Sequence, residues 1–185
     1  YAHHHRVMHI GGYNHGIGHP QHSCYFSQNA HVWGWASWRR AWQLYDGDML
    51  TWPAFQETVD LASYFQDEQE ARRRARDWAR CYRGEIDTWD FQWSYSLVKE
   101  GGLALVPSQN LVANIGHDGE ATHTLVAQHT APALPDNAVD VALAPPFVLP
   151  DHTMDKQYFA RYYPTKPTVW QRAEHKARLL TARFQ

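Results

Sequence analysis

Across residues 67–83, Ala71, Ala75, Trp78 and Tyr82 recur at three- and four-residue spacing, which predicts an amphipathic helix. Gly84 supplies its stop. The arginines of this stretch, Arg72, Arg73, Arg74, Arg76 and Arg80, read as a solvated face paired with Asp67, Glu68 and Glu70, with phosphate binding as the alternative. A second helix is expected from Asp87 to the pair Gly101 and Gly102, and a shorter one capped by Thr51 with Pro53 in its first turn. A further helix is expected over 36–45, closed by Asp46, Gly47 and Asp48. Shorter apolar runs at 6–10, 23–26 and 103–106 predict strands, and 109–115 a further one. Between the first two, 11–22 is a loop rich in Gly, His and Pro.

Beyond residue 131 the pattern changes. Residues 131–150 are rich in Pro and Ala, so 131–166 is expected to wrap the surface in extended form. Residues 168–183 then predict a C-terminal helix with Val169, Ala173, Ala177, Leu180 and Phe184 on one side and Arg172, Lys176 and Arg183 on another. Such a helix docks on its own domain or lies on an anionic membrane surface. The expected division is a domain at 1–130, the wrap at 131–166 and the helix at 167–185.

Composition narrows the class. A chain of 185 residues with 44% hydrophobic content fits one domain with a real core. Nine Trp and ten Tyr exceed what that core needs, and the surplus suits rings that stack on sugars. A net charge of −2 gives no electrostatic footprint for nucleic acid. Cys24 and Cys81 form no disulfide framework and lack metal-ligand spacing, so reduced thiols are expected. With no long apolar run and no leader pattern, a cytoplasmic protein is expected, with peripheral contact at the inner membrane as the alternative for the terminal helix.

Three segments carry candidate chemistry. In 84–93 (GEIDTWDFQW) two carboxylates stand at a helix start among tryptophans. Asp87 reads as an N-cap, and Asp90, one turn in and flanked by Trp89 and Phe91, as a partly desolvated proton acceptor. Asp90 is therefore the candidate general base and Asp87 the reserve. In 116–124, Gly116 and Gly119 allow tight turns while Thr122 and His123 offer donors to a phosphate oxygen, with His123 a metal ligand in the alternative. In the tract 33–42 (WGWASWRRAW), Trp35, Trp38 and Trp42 would share a helix face and pack in the core, whereas Trp33 and Gly34 precede the helix and can meet a ligand. At most one of Arg39 and Arg40 can reach a phosphate. His15, His19 and His22 have spacing a zinc site can use, and His3, His4 and His5 are consecutive. The Asp46-Gly47-Asp48 pattern is formally the metal motif of many glycosyltransferases, but at a helix end with a turn glycine it reads as a stop.

Taken together, 33–42, 84–93, 110–116 (NLVANIG) and 121–124 (ATHT) resemble a bacterial family of nucleotide-diphospho-sugar transferases, some described as hemolytic proteins. The resemblance covers roughly 6–124 and is more distant toward inverting N-acetylglucosaminyltransferases. It implies an α/β GT-A fold, a Rossmann-like mixed sheet between helices, here a partial one without the N-terminal nucleotide-binding units. It implies Asp90 or Asp87 as base, with Trp33, Gly34, Trp35, Arg39, Trp89, Thr122 and His123 toward donor or acceptor. It further implies a nucleotide-sugar donor, a glycan or envelope-precursor acceptor, and a divalent Mn or Mg in the complete enzyme. Without the upstream units a sheet edge would be exposed, so a protein partner or a second copy is expected to cover it. The rival expectation is a non-catalytic binding or assembly subunit on the same scaffold.

Overall fold

The computed structural model describes residues 1–113 and 140–163. Among these residues the chain is a mixed α/β structure: one four-stranded sheet and six α-helices. The strands are β1 (Val7–Gly11), β2 (Cys24–Ser27), β3 (Trp35–Ser37) and β4 (Leu103–Pro107), in the order β2-β4-β1-β3. β1 and β4 run parallel, with a register shift between Val7 and His9, while β2 and β3 are antiparallel to their neighbours. All four β2 residues are buried and so are four of the five in β4, which fits short apolar runs in a covered sheet.

The helices are α1 (Arg39–Trp42), α2 (Trp52–Thr58), α3 (Leu61–Phe65), α4 (Glu68–Tyr82), α5 (Asp90–Lys99) and α6 (His152–Tyr162). α4 forms where its periodicity predicts. Asp67 caps it by accepting from the Gln69 and Glu70 N–H groups at 2.8 and 2.9 Å. Gly84, at φ +71°, ends it in a Schellman turn in which Glu85 N–H donates to the Arg80 carbonyl and Gly84 N–H to that of Cys81, both at 2.9 Å. α2 starts after Thr51 with Pro53 in its first turn, although the Thr51 side chain makes no cap bond.

Several expectations change. Residues 36–45 are not one helix: Trp35, Ala36 and Ser37 pair with β1 as an edge strand, and only Arg39–Trp42 is helical. An open β1 edge overrides the helical spacing of the tryptophans. Residues 109–113 form no strand. α5 begins at Asp90, with Trp89 in the cap position, so Asp87 is not an N-cap and Asp90 is the first helical residue. Within the expected extended wrap, 152–162 is a helix, because Asp151 caps it through the Thr153 and Met154 N–H groups and Met154, Tyr158 and Phe159 are buried. Ahead of that helix the described part of the wrap, after a 3-10 turn at Val141–Leu143, runs along β2: Ser23 N–H meets the Leu143 carbonyl, Phe26 bridges Pro150, and Asp151 N–H donates to the Phe26 carbonyl at 2.7 Å. The chain itself thus covers part of the β2 edge. The C-terminal helix expected at 167–185 lies outside the described residues.

The largest apolar cluster joins α2 to α5 through Met49, Trp52, Leu61, Phe65, Trp78 and Tyr95. Met8, Ala41, Trp93 and Leu97 fix α1 and α5 to β1. Tyr25, Ala104, Val106, Met154 and Tyr158 fix α6 to the sheet. No helix among the described residues is long and apolar enough to cross a membrane.

Candidate functional site

Two adjoining cavities open between the β2–β3 connection, α4, the start of α5 and α6. The smaller, about 200 Å³, is lined by residues that include His31, Trp33, Arg74, Asp90, Tyr158 and Tyr163. The larger, about 1180 Å³, includes Arg73, Arg80, Asp87 and Trp89. Val32, Trp33, Asp90 and Phe91 belong to both, so Asp90 stands where the two meet.

Asp90 is held by its own helix start. Its Oδ1 accepts from the Thr88 hydroxyl and from the Phe91 N–H at 2.9 Å. Oδ2 has no partner among the described residues. One oxygen is anchored and the other is available to take a proton. Asp87 is exposed on the larger cavity and makes no hydrogen bond among the described residues. Trp33 packs edge-on against Tyr13 at 4.7 Å and forms the shared wall. Trp89, 42% exposed, stacks on Trp35 at 5.2 Å and 24°. Trp35 in turn stacks on the buried His9 at 5.2 Å and 7°. Trp35 is therefore a support beneath Trp89.

Four of the expected residues, Asp87, Asp90, Trp33 and Trp89, thus come together, and others do not. Gly34, at φ +57°, gives its carbonyl to the Gly12 N–H at 2.7 Å and packs on Val112, so its role is in the backbone. Arg39 is exposed in a separate cleft of about 380 Å³ beside Trp35, Trp38 and Trp42. Arg40 points the other way and ties down the N-terminal segment through the His4 and Val7 carbonyls at 2.8 and 2.7 Å. Thr122 and His123 lie outside the described residues.

The sequence reading missed Arg74. The helical pattern of α4 places Arg74 among solvated arginines, whereas it turns inward with 15% of its side chain exposed. Its Nη2 donates to Asn29 Oδ1 and, at 3.4 Å, to Glu70 Oε1. Asn29 Nδ2 donates to Asp155 Oδ1 at 3.1 Å, and Asp155 also accepts from the Ser27 hydroxyl at 2.5 Å and the Gln28 N–H at 3.0 Å. The network joins α4, the β2–β3 connection and α6. Arg74 is held above the usual guanidinium value because, although burial opposes its charge, Glu70 favours it. Glu70 is pushed up to about 7 by burial, opposed by Arg74 and reinforced by Asp155. The two shifts favour opposite states of Glu70. Desolvation of the 1%-exposed carboxyl outweighs its attraction to Arg74 across 3.4 Å, so Glu70 ionises with difficulty.

His31 lines the smaller cavity as a neutral imidazole. Burial, reinforced by His15, His9 and Arg74, holds His31 well below the ordinary imidazole value, and its Nδ1 lies 3.1 Å from His15 Nε2. His19 does not join them: its Nδ1 accepts from the Gln21 and His22 N–H groups, and its Nε2 lies 3.2 Å from Asp151. Among the described residues no group of three His, Cys, Asp or Glu side chains is placed to hold a metal. The Asp46 carboxylate is occupied by the Leu50 and Thr51 N–H groups and the Thr51 hydroxyl, as a turn requires.

Comparison with family models, with curated proteins and with solved structures finds no match in any of the three.

Proposed function

We propose that this chain supplies the acceptor side of an inverting glycosyltransferase, with Asp90 as the general base. The observation that carries the reading is the carboxylate itself. Asp90 has one oxygen anchored by Thr88, the other unpartnered among the described residues, and a position where two aromatic-walled cavities meet. In such a transfer Asp90 takes the proton of the acceptor hydroxyl as that oxygen bonds to the anomeric carbon. The bond from that carbon to the nucleoside diphosphate breaks on the opposite side. Trp33 and Trp89 offer ring faces to the acceptor. No step of this reading passes through a metal.

The test is nucleoside diphosphate release from a panel of nucleotide sugars by the full-length protein, with glycan acceptors present. Asp90→Asn should lower turnover by ~10²–10⁴-fold, the usual worth of a general base, and leave donor affinity nearly unchanged. Asp87→Asn should leave most turnover intact. Equal turnover by Asp90→Asn and the wild type would falsify the base assignment. A full-length protein that ignores every nucleotide sugar is instead a binding or assembly subunit.

A further inference from the structure

The smaller cavity also carries a charge to which the transfer described above gives no role. Arg74 lines it beside neutral His31, Trp33, Tyr158 and Tyr163, with Asp90 also on its wall. Of the three guanidinium nitrogens only Nη2 is engaged, by Asn29 and Glu70, while Nε and Nη1 have no hydrogen-bond partner among the described residues. A guanidinium presents its donors as a rigid fork that matches a carboxylate or phosphate. Here the fork is fixed from behind, through Asn29 to Asp155 of α6, so it is preorganised. Unlike Arg73 Nε, neither nitrogen is buried away from solvent, so both stay open to a ligand at the cavity wall.

We infer that this cavity is a subsite for a single sugar ring bearing an anionic group, with Arg74 reading the anion and Asp90 facing a hydroxyl of the same ring. The inference rests on the transferase reading only for the role of Asp90. At about 200 Å³ the space is smaller than a drug-sized pocket of ~300 Å³ or more, so it takes one ring and no oligosaccharide. Its polarity sets the orientation: a cation and a carboxylate lining one cavity admit an anionic sugar in one sense and repel the other. The aromatic side chains of Trp33, Tyr158 and Tyr163 supply apolar faces for the ring. Burial of Glu70 adds to the effect, because with Glu70 raised to about 7 the Arg74 charge is incompletely balanced near neutral pH.

The experiment is ligand-observed NMR, with the full-length protein and glucuronate, glucose 6-phosphate and glucose as separate probes. At least one anionic sugar should bind tenfold or more tightly than glucose, and which one binds decides between carboxylate and phosphate. Arg74→Gln should abolish the preference, Arg74→Lys should retain part of it, and Arg72→Gln, on the exposed face of α4, should leave it unchanged. Equal binding of all three sugars, or none by either anion, overturns the inference in the wild type alone, whatever the folding of the variants. So does a preference that survives Arg74→Gln. A neutral-acceptor transferase that depends on Asp90 but shows no anion preference keeps the function and removes this subsite. An anion preference in a protein that transfers no sugar does the reverse.

Discussion

Replacing His9 with glutamine should change how stability depends on pH more than stability itself. His9 is fully buried on β1. Its Nδ1 lies 3.1 Å from the Trp93 indole N–H, which can only donate, so the ring proton is on Nε2 and is given to the His31 carbonyl at 3.0 Å. Imidazolium has no lone pair at Nδ1, so a second proton would set two N–H groups against each other in a dry site. Burial accordingly lowers its pKa from 6.5 to about 4, and the His31 carbonyl opposes that only in part. The folded value lies below the unfolded one, so this stability is complete above pH 6.5 and is lost as pH falls through about 4. At ~1.4 kcal/mol per pH unit the loss amounts to about 3 kcal/mol. A glutamine amide offers the same acceptor and donor without titrating. Urea unfolding of both proteins between pH 7 and pH 4 should therefore show the wild type losing about 3 kcal/mol more than His9→Gln. Carboxylates titrate in both and cancel in the difference. Parallel curves would refute the argument, and so would ring ¹⁵N shifts that place the proton on Nδ1. The outcome reaches the site, since His9 supports Trp35, and Trp35 supports Trp89.

Glu70 should behave in the opposite sense. Its folded value, about 7 against 4.5, means that stability present below pH 4.5 is lost as pH rises through 7. The same conversion gives about 3 kcal/mol, and Glu70→Gln should lack that decline in urea unfolding; equal slopes would remove the desolvation argument. Gly84→Ala tests the Schellman turn. An added Cβ there meets nothing within 4 Å, so only the left-handed backbone is penalised, by roughly 1 kcal/mol. Gly102→Ala should cost clearly more, since its Cβ would overlap Met8 Sδ, and a ranking in the other order would show that packing there is loose.

What could be read in advance was what depends on neighbours along the chain. The α4 cap, stripe and stop are all local, and so are the runs that became β2 and β4. Trp35, Trp38 and Trp42 have helical spacing, yet Trp35 pairs with Gly11 across β1, a partner that local periodicity cannot weigh. α6 was legible and overlooked: Asp151 as cap with Met154, Tyr158 and Tyr162 at helical spacing, masked by the Pro-rich composition before it.

The site divides the same way. Asp90 and Trp89 line one cavity because they are neighbours in the chain, so that placement is readable from adjacent residues. Arg74 was missed although it falls between Ala71 and Trp78 on the buried stripe of α4, because Glu70 one turn earlier offers a ready surface-pair explanation. What turns it inward is Asn29, 45 residues away, itself held by Asp155, a further 126 residues on. Those partners come from the β2–β3 connection and from α6, so the anionic-sugar subsite exists only once α6 has docked. The Asp90 geometry needs only the α5 start, whereas Tyr158 and Tyr163 of the cavity wall arrive with α6 and the residue that follows it. Loss of α6 contacts should therefore erase anion preference before it erases the Asp90 geometry, a separation that no property of α5 alone can produce.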